Sequence, residues 1–104
     1  MELSEERAAR NEVTFRAANE EIDARRRELD VHGATPYICE CDDPNCTTLV
    51  RLTREEYARV RGHARQFVLA REHADDDADV VDESEGWILI KKHGLAGEIA
   101  EQEG

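Results

Sequence analysis

The sequence predicts an α+β fold: a long N-terminal helix followed by a small antiparallel sheet with one short helix, in the order αββαβββ. Three observations carry this reading. No Pro or Gly occurs from Ser4 to Val31; from Tyr37 the apolar residues gather in short segments of β character; and a helix-start signal, Thr53-Arg54-Glu55-Glu56, stands between the first two segments and the rest.

Ser4 followed by Glu5 and Glu6 predicts the first helix start, since a hydroxyl can accept an orphan amide and carboxylates suit the positive end of the dipole. Gly33 and then Pro36 are the expected stop. Within this stretch Ala8, Phe15, Ile22 and Leu29 repeat every seven residues, with Ala18 and Arg25 between them, a thin apolar stripe. A helix of about 27 residues reaches about 40 Å, longer than the remaining chain is expected to cover. Part of it is therefore expected to pack on a protein partner or on a second copy of the chain. The alternative is a solvated helix with a narrow seam against its own domain.

Next come two strand candidates, Tyr37–Cys41 and Thr47–Leu52, joined by a turn at Asp42-Asp43-Pro44-Asn45, which together read as a hairpin. Thr53 and Glu56 form a capping box, and Leu52 can staple onto Tyr57, so a short helix is predicted from Arg54 to about Arg61, ending at Gly62. Gln66–Ala70 is a further strand candidate. Beyond the polar Asp75-Asp76-Asp77 stretch, Val80-Val81 and Trp87–Ile90 read as two more, connected through Glu83-Ser84-Glu85-Gly86. Trp87 and Leu89 alternate with Ile88 and Ile90, so this last strand is apolar on both faces and is expected to be central or helix-covered. The division that follows is an interaction or oligomerisation helix (1–33), a small α+β domain (34–93) and a flexible tail (94–104) anchored only by Leu95 and Ile99.

Composition narrows the function classes. The chain has 104 residues, 39% hydrophobic and 38% charged, with a formal net charge of −11, so a single domain with little apolar material for an interior is expected. Residues 75–104 hold ten acids against two bases, and the only dense basic patch, Arg25-Arg26-Arg27, is flanked by Asp23, Glu28 and Asp30. Phosphate binding needs a contiguous basic surplus, so nucleic acid is disfavoured as a partner. No apolar run has the length of a membrane span, and the opening MELSEERAAR lacks the layout of a signal peptide, so a cytoplasmic protein without membrane association is expected.

All three cysteines fall within Cys39-Glu40-Cys41-Asp42-Asp43-Pro44-Asn45-Cys46. On an extended strand residues i and i+2 share a face, so Cys39 and Cys41 can aim at one point while the turn returns Cys46 to them. Zinc takes thiolates at about 2.3 Å in a tetrahedron, and three sulfurs leave one corner for a histidine, a carboxylate or water. A zinc-stabilised Cys3His site fits best and would offset a small core, since structural metal binding is coupled to folding. A disulfide is disfavoured by the reducing compartment and the odd thiol, although redox chemistry and inert cysteines stay open. Among His32, His63, His73 and His93, the first choice for the fourth ligand is His73, just past the Gln66–Ala70 strand; His63, at the end of the short helix, is the rival.

A further set of residues extends this pattern. Arg10-Asn11-Glu12, Phe15-Arg16 and Asn19-Glu20, then Cys39-Glu40-Cys41 and Cys46, Leu52-Thr53, Glu56-Tyr57, Val60-Arg61, Phe67-Val68 ahead of His73, and the Gly94–Glu98 tail resemble a family of small bacterial proteins of unassigned function. The resemblance covers nearly the whole chain and implies Cys39, Cys41, Cys46 and His73 as one set. In that family the histidine commonly follows Pro-Gly, where this chain has Arg71-Glu72. No activity comes with the resemblance.

Catalytic constellations are lacking in the sequence. Glu40 alternates to the side of its strand away from the cysteines, and neither a deaminase His-x-Glu with Pro-Cys-x-x-Cys, nor a Gly-rich phosphate loop, nor His-Glu-x-x-His, nor Gly-x-Ser-x-Gly occurs. The expected function is a noncatalytic, zinc-stabilised protein-interaction or regulatory module. The alternative is a thiol-based redox or metal sensor using the same cysteines, and the minority reading is a nucleic-acid-binding zinc domain.

Overall fold

The computed structural model describes residues 2–43, 45–73 and 78–103. Pro44 and the Asp75-Asp76-Asp77 stretch lie outside the described residues, as does the side chain of Ser4. Helix α1 spans Glu2–Glu28, so Ser4 stands inside its first turn and not ahead of it. The helix stops earlier than Gly33. Asp30 adopts the left-handed conformation, φ 54°; its N–H donates to the Arg27 carbonyl at 3.2 Å while the Val31 N–H donates to the Arg26 carbonyl at 2.9 Å. This pair of bonds is a Schellman cap, with an aspartate in the position usually held by glycine.

Strand β1 (Thr35–Ile38) pairs antiparallel with β2 (Leu49–Leu52), Thr35 opposite Leu52 and Ile38 opposite Leu49. Helix α2 (Arg54–Arg61) follows at once. Its capping box is formed, the Glu56 N–H donating to Thr53 Oγ1 at 3.1 Å and the Thr53 N–H to Glu56 Oε1 at 2.8 Å. Strands β3 (Gln66–Leu69), β4 (Ala78–Glu83) and β5 (Ile88–Lys92) make a second antiparallel sheet in the order β3-β5-β4. Strand β5 is central, as its two apolar faces predict, and Ile88, Leu89 and Ile90 are all buried. At β4 the pairing shifts between Val80 and Asp82, a bulge that leaves Val80 and Val81 exposed on the sheet edge.

The single small sheet expected from sequence is thus two sheets. They meet through a single backbone hydrogen bond and through side chains, not through a continuous ladder. Just past β1, the Glu40 N–H donates to the Val68 carbonyl at 2.8 Å. The outward N–H groups of the β3 edge are then taken by Glu40 Oε1 (Val68, 3.0 Å) and Cys39 Sγ (Ala70, 3.2 Å). One hydrophobic cluster runs across the junction from Tyr37, Val50 and Leu52 through Tyr57 and Val60 to Phe67 and Leu89. The interior is larger than composition suggests, at about 1.5–3 kcal/mol for each large side chain fully enclosed.

Helix α1 packs on this body instead of standing clear of it, matching the 43 Å long axis of the molecule. Among its described side chains the buried positions are Ala9, Glu12, Arg16, Asn19 and Asp23, a heptad seam filled almost entirely by polar residues. The Phe15-Ile22-Leu29 stripe is not the main contact: Phe15 and Ile22 lie at its margin, and Leu29 is 63% exposed. The seam holds because each polar group has a partner. Lys92 Nζ reaches Glu12 at 2.8 Å, Arg16 donates to the Ala64 and Ala100 carbonyls at 2.5 and 2.8 Å, and the Tyr37 hydroxyl donates to Asp23 at 2.9 Å. The tail expected after residue 93 is instead helix α3 (Gly94–Glu103), packed on α1 with Ile99 and Ala100 buried. Among the described residues no helix is long and apolar enough to cross a membrane.

Candidate metal centre

The cysteines sit on the connection between β1 and β2. The Cys39 N–H donates to the Thr48 carbonyl at 3.2 Å, carrying the hairpin pairing one residue beyond β1 and fixing which way each side chain points. Cys39 and Cys41 face one way and Glu40 the other, as alternation requires. The turn is closed by the Cys46 N–H donating to the Asp43 carbonyl at 3.0 Å and the Asn45 N–H to Asp43 Oδ1 at 2.9 Å, which returns Cys46 to its two partners. His73 ends a single tight turn over Arg71–His73 after β3, its N–H donating to the Ala70 carbonyl at 2.9 Å.

These elements bring all four residues together. His73 Nδ1 lies 3.4 Å from Cys39 Sγ and 3.4 Å from Cys46 Sγ, and the four donor atoms lie within 4.8 Å of one another. For ligands at zinc-like bond lengths around a tetrahedron the sulfur to nitrogen separation is about 3.6 Å, so the set could hold a metal ion with little adjustment. All three cysteines are free of disulfides. The other histidines are placed elsewhere: His63 accepts the Arg65 N–H at 3.3 Å, His32 lies 3.1 Å from Asp30, and His93 lies 2.8 Å from Asp79.

Electrostatics separates the sulfurs. Burial pushes the Cys39 thiol well above its ordinary range, against the pull of the Ala70 N–H, and burial likewise raises Cys41. Cys46 is the more open of the three. Burial raises it less than hydrogen bonds from the Thr48 backbone, Cys41 and the Thr48 hydroxyl lower it, so it ends below the usual thiol value. Around the set, α1 fixes the backbone: Asn11 donates to the Cys41 carbonyl at 3.1 Å, and Asn19 pairs with both sides of Ile38, donating to its carbonyl at 2.8 Å and accepting its N–H at 2.7 Å.

Glu40 is the residue that sequence reasoning undervalued. It points away from the cysteines, as expected, but into the core, where it is completely buried. Its carboxylate accepts from Asn19 at 2.9 Å, Arg61 at 3.0 Å, the Val68 N–H at 3.0 Å and the Tyr57 hydroxyl at 3.4 Å. Burial pushes this carboxyl upward while Arg61, Asn19 and the Val68 amide oppose it. A usable signal existed in the charged residues at heptad spacing on α1, which need buried partners if that face is covered. No family model, curated protein or solved structure matches the chain, so the reading of this centre rests on its own geometry.

Proposed function

We propose that the protein is a noncatalytic interaction or regulatory module whose cysteine turn is clasped by one zinc ion through Cys39, Cys41, Cys46 and His73. The observation that carries this reading is the approach of His73 Nδ1 to both Cys39 and Cys46 at 3.4 Å, beside the buried Cys39 and Cys41 and the half-buried Cys46. A thiolate enclosed without a cation is costly, whereas three thiolates and one imidazole complete a tetrahedral zinc site. Four protein donors leave no open position for a reacting water, and Glu40, the carboxylate that stands between two of the cysteines in sequence, is fully engaged on the far side.

The interaction part of the reading is supported by a groove along α1 lined by Ala18, Ile22, Arg25, Leu29 and Val31. Protein purified from zinc-supplemented cells should carry about one zinc per chain and melt at a lower temperature after treatment with a strong chelator. Protein that folds metal-free and melts unchanged when zinc is added would refute the clasp. Leu29→Asp tests the groove, because truncating α1 would remove the polar seam that holds the fold; loss of self-association or of a defined partner is expected, and unchanged association would refute that role.

A further inference from the structure

The three sulfurs differ in access and in how firmly they are held. Cys39 is fully enclosed, and its Sγ accepts the Ala70 N–H. Its neighbours are gripped on both sides, Ile38 by Asn19 and Glu40 by Val68 and Arg61. Cys41 is nearly as buried, but it opens the same turn that Cys46 closes, and the two sulfurs lie within 4.8 Å of each other. Cys46 is only half-buried and is the sulfur that an incoming small molecule meets first.

Resting on the reading of this cluster as a metal centre, we propose that Cys46 is a modification site attacked by hydroperoxides, with Cys41 as the thiol that resolves the product into a Cys41–Cys46 disulfide. The Cys46 thiolate attacks one peroxide oxygen and the O–O bond breaks. The other oxygen leaves as an alcohol, or as water from hydrogen peroxide, after taking a proton. Sulfur is oxidised by two electrons to a sulfenic acid as the peroxide is reduced by two. The Cys41 thiolate then attacks that sulfur, hydroxide leaves and takes a proton to become water, and the S–S bond forms.

Two donors are thereby withdrawn and the ion departs, leaving Cys39 and His73. The Glu40 contacts use no sulfur, so the turn is released while the junction between the sheets stays closed. An external dithiol reduces the disulfide, and added zinc restores the clasp. The structure thus assigns Cys46 the entry point of a reversible switch, with Cys39 as a fixed anchor.

The test uses the full chain with its zinc content measured first by elemental mass spectrometry. Hydrogen peroxide is added from below equimolar amounts with a zinc-binding dye present, and the cysteines are mapped by peptide mass spectrometry with and without dimedone as a sulfenic-acid trap. Zinc is expected to appear in step with the Cys41–Cys46 disulfide, with dimedone caught on Cys46, and with recovery on adding dithiol and zinc. A disulfide through Cys39, dimedone on Cys39 or Cys41 ahead of Cys46, or zinc retained at a several-fold excess of peroxide overturns the switch and leaves the metal centre standing. A chain that takes up no zinc overturns both. Cys41→Ser should keep the adduct on Cys46 and form no disulfide; since this variant lacks a ligand, the mapping on the unaltered chain decides.

Discussion

The two faces of the segment Ile38–Cys41 are locked by different chemistry. On one face Cys39 and Cys41 converge with Cys46 and His73 on a point suited to a metal ion. On the other Glu40 is held by Asn19, Arg61, Tyr57 and the Val68 amide. In the proposed reading the first lock depends on an external ion and on the oxidation state of sulfur. The second is built from fixed charges and amides, and it depends on neither. A short backbone stretch can therefore be conditional on one side and permanent on the other, and most of the useful experiments set one lock against the other.

The largest effect is expected from the permanent side. Glu40→Ala leaves Arg61 without its buried partner and the Val68 N–H unpaired, which should destabilise the zinc-loaded protein by about 3–5 kcal/mol in urea titrations. Loss of less than about 1 kcal/mol would mean that the carboxylate is not the hub of the junction. Chelation breaks the conditional side. Hydrogen exchange is expected to quicken at the amides of Cys46 and His73 while those of Glu40 and Val68 stay protected; uniform loss of protection would show that the two locks are one.

Acidity should act oppositely on the two metal states. Burial raises the Cys39 and Cys41 thiols, so in the metal-free chain their contribution to stability is complete below the ordinary value of 9.0 and is lost as pH rises through their elevated folded values. Zinc requires thiolates, so zinc affinity must fall as pH falls, by more than about tenfold per pH unit where several thiols are protonated together. Competition with a chromogenic chelator across the neutral range measures this slope, and a flat profile would refute thiolate ligation.

Two smaller effects sharpen the contrast away from the segment. A Cβ at Gly97 would stand 2.8 Å from the Lys92 carbonyl, so Gly97→Ala should cost about 1–3 kcal/mol in thermal melts by pushing α3 off β5. Leu29→Asp, at a residue 63% exposed, should change stability by no more than about 0.5 kcal/mol. A large loss there would show that the α1 groove is part of the folded core.

Much of this architecture was legible because local chemistry and tertiary structure agree. The capping box at Thr53 and Glu56, the doubly apolar β5 and the cysteine turn each carry their own signal, and the structure places all three as expected. The α1 interface was hidden because its seam is written in Glu12, Arg16, Asn19 and Asp23. Apolar periodicity cannot register a face whose burial is compensated by hydrogen bonds to distant carbonyls. The helix stop was misplaced for a related reason: Asp30 takes the left-handed cap that composition assigns to glycine. That the hairpin and the three-stranded sheet stay separate depends on Glu40 and Cys39 filling the β3 edge, a tertiary event with no local signature.

That filled edge has a consequence for how the chain fails. Val68 and Ala70 would otherwise offer outward amides to any passing strand, and here a carboxylate and a sulfur occupy them like corks. Uncorking both at once, in a Glu40→Ala, Cys39→Ala variant, exposes a sticky hydrophobic strand, so this chain should precipitate as fibrous material well before it loses its helices.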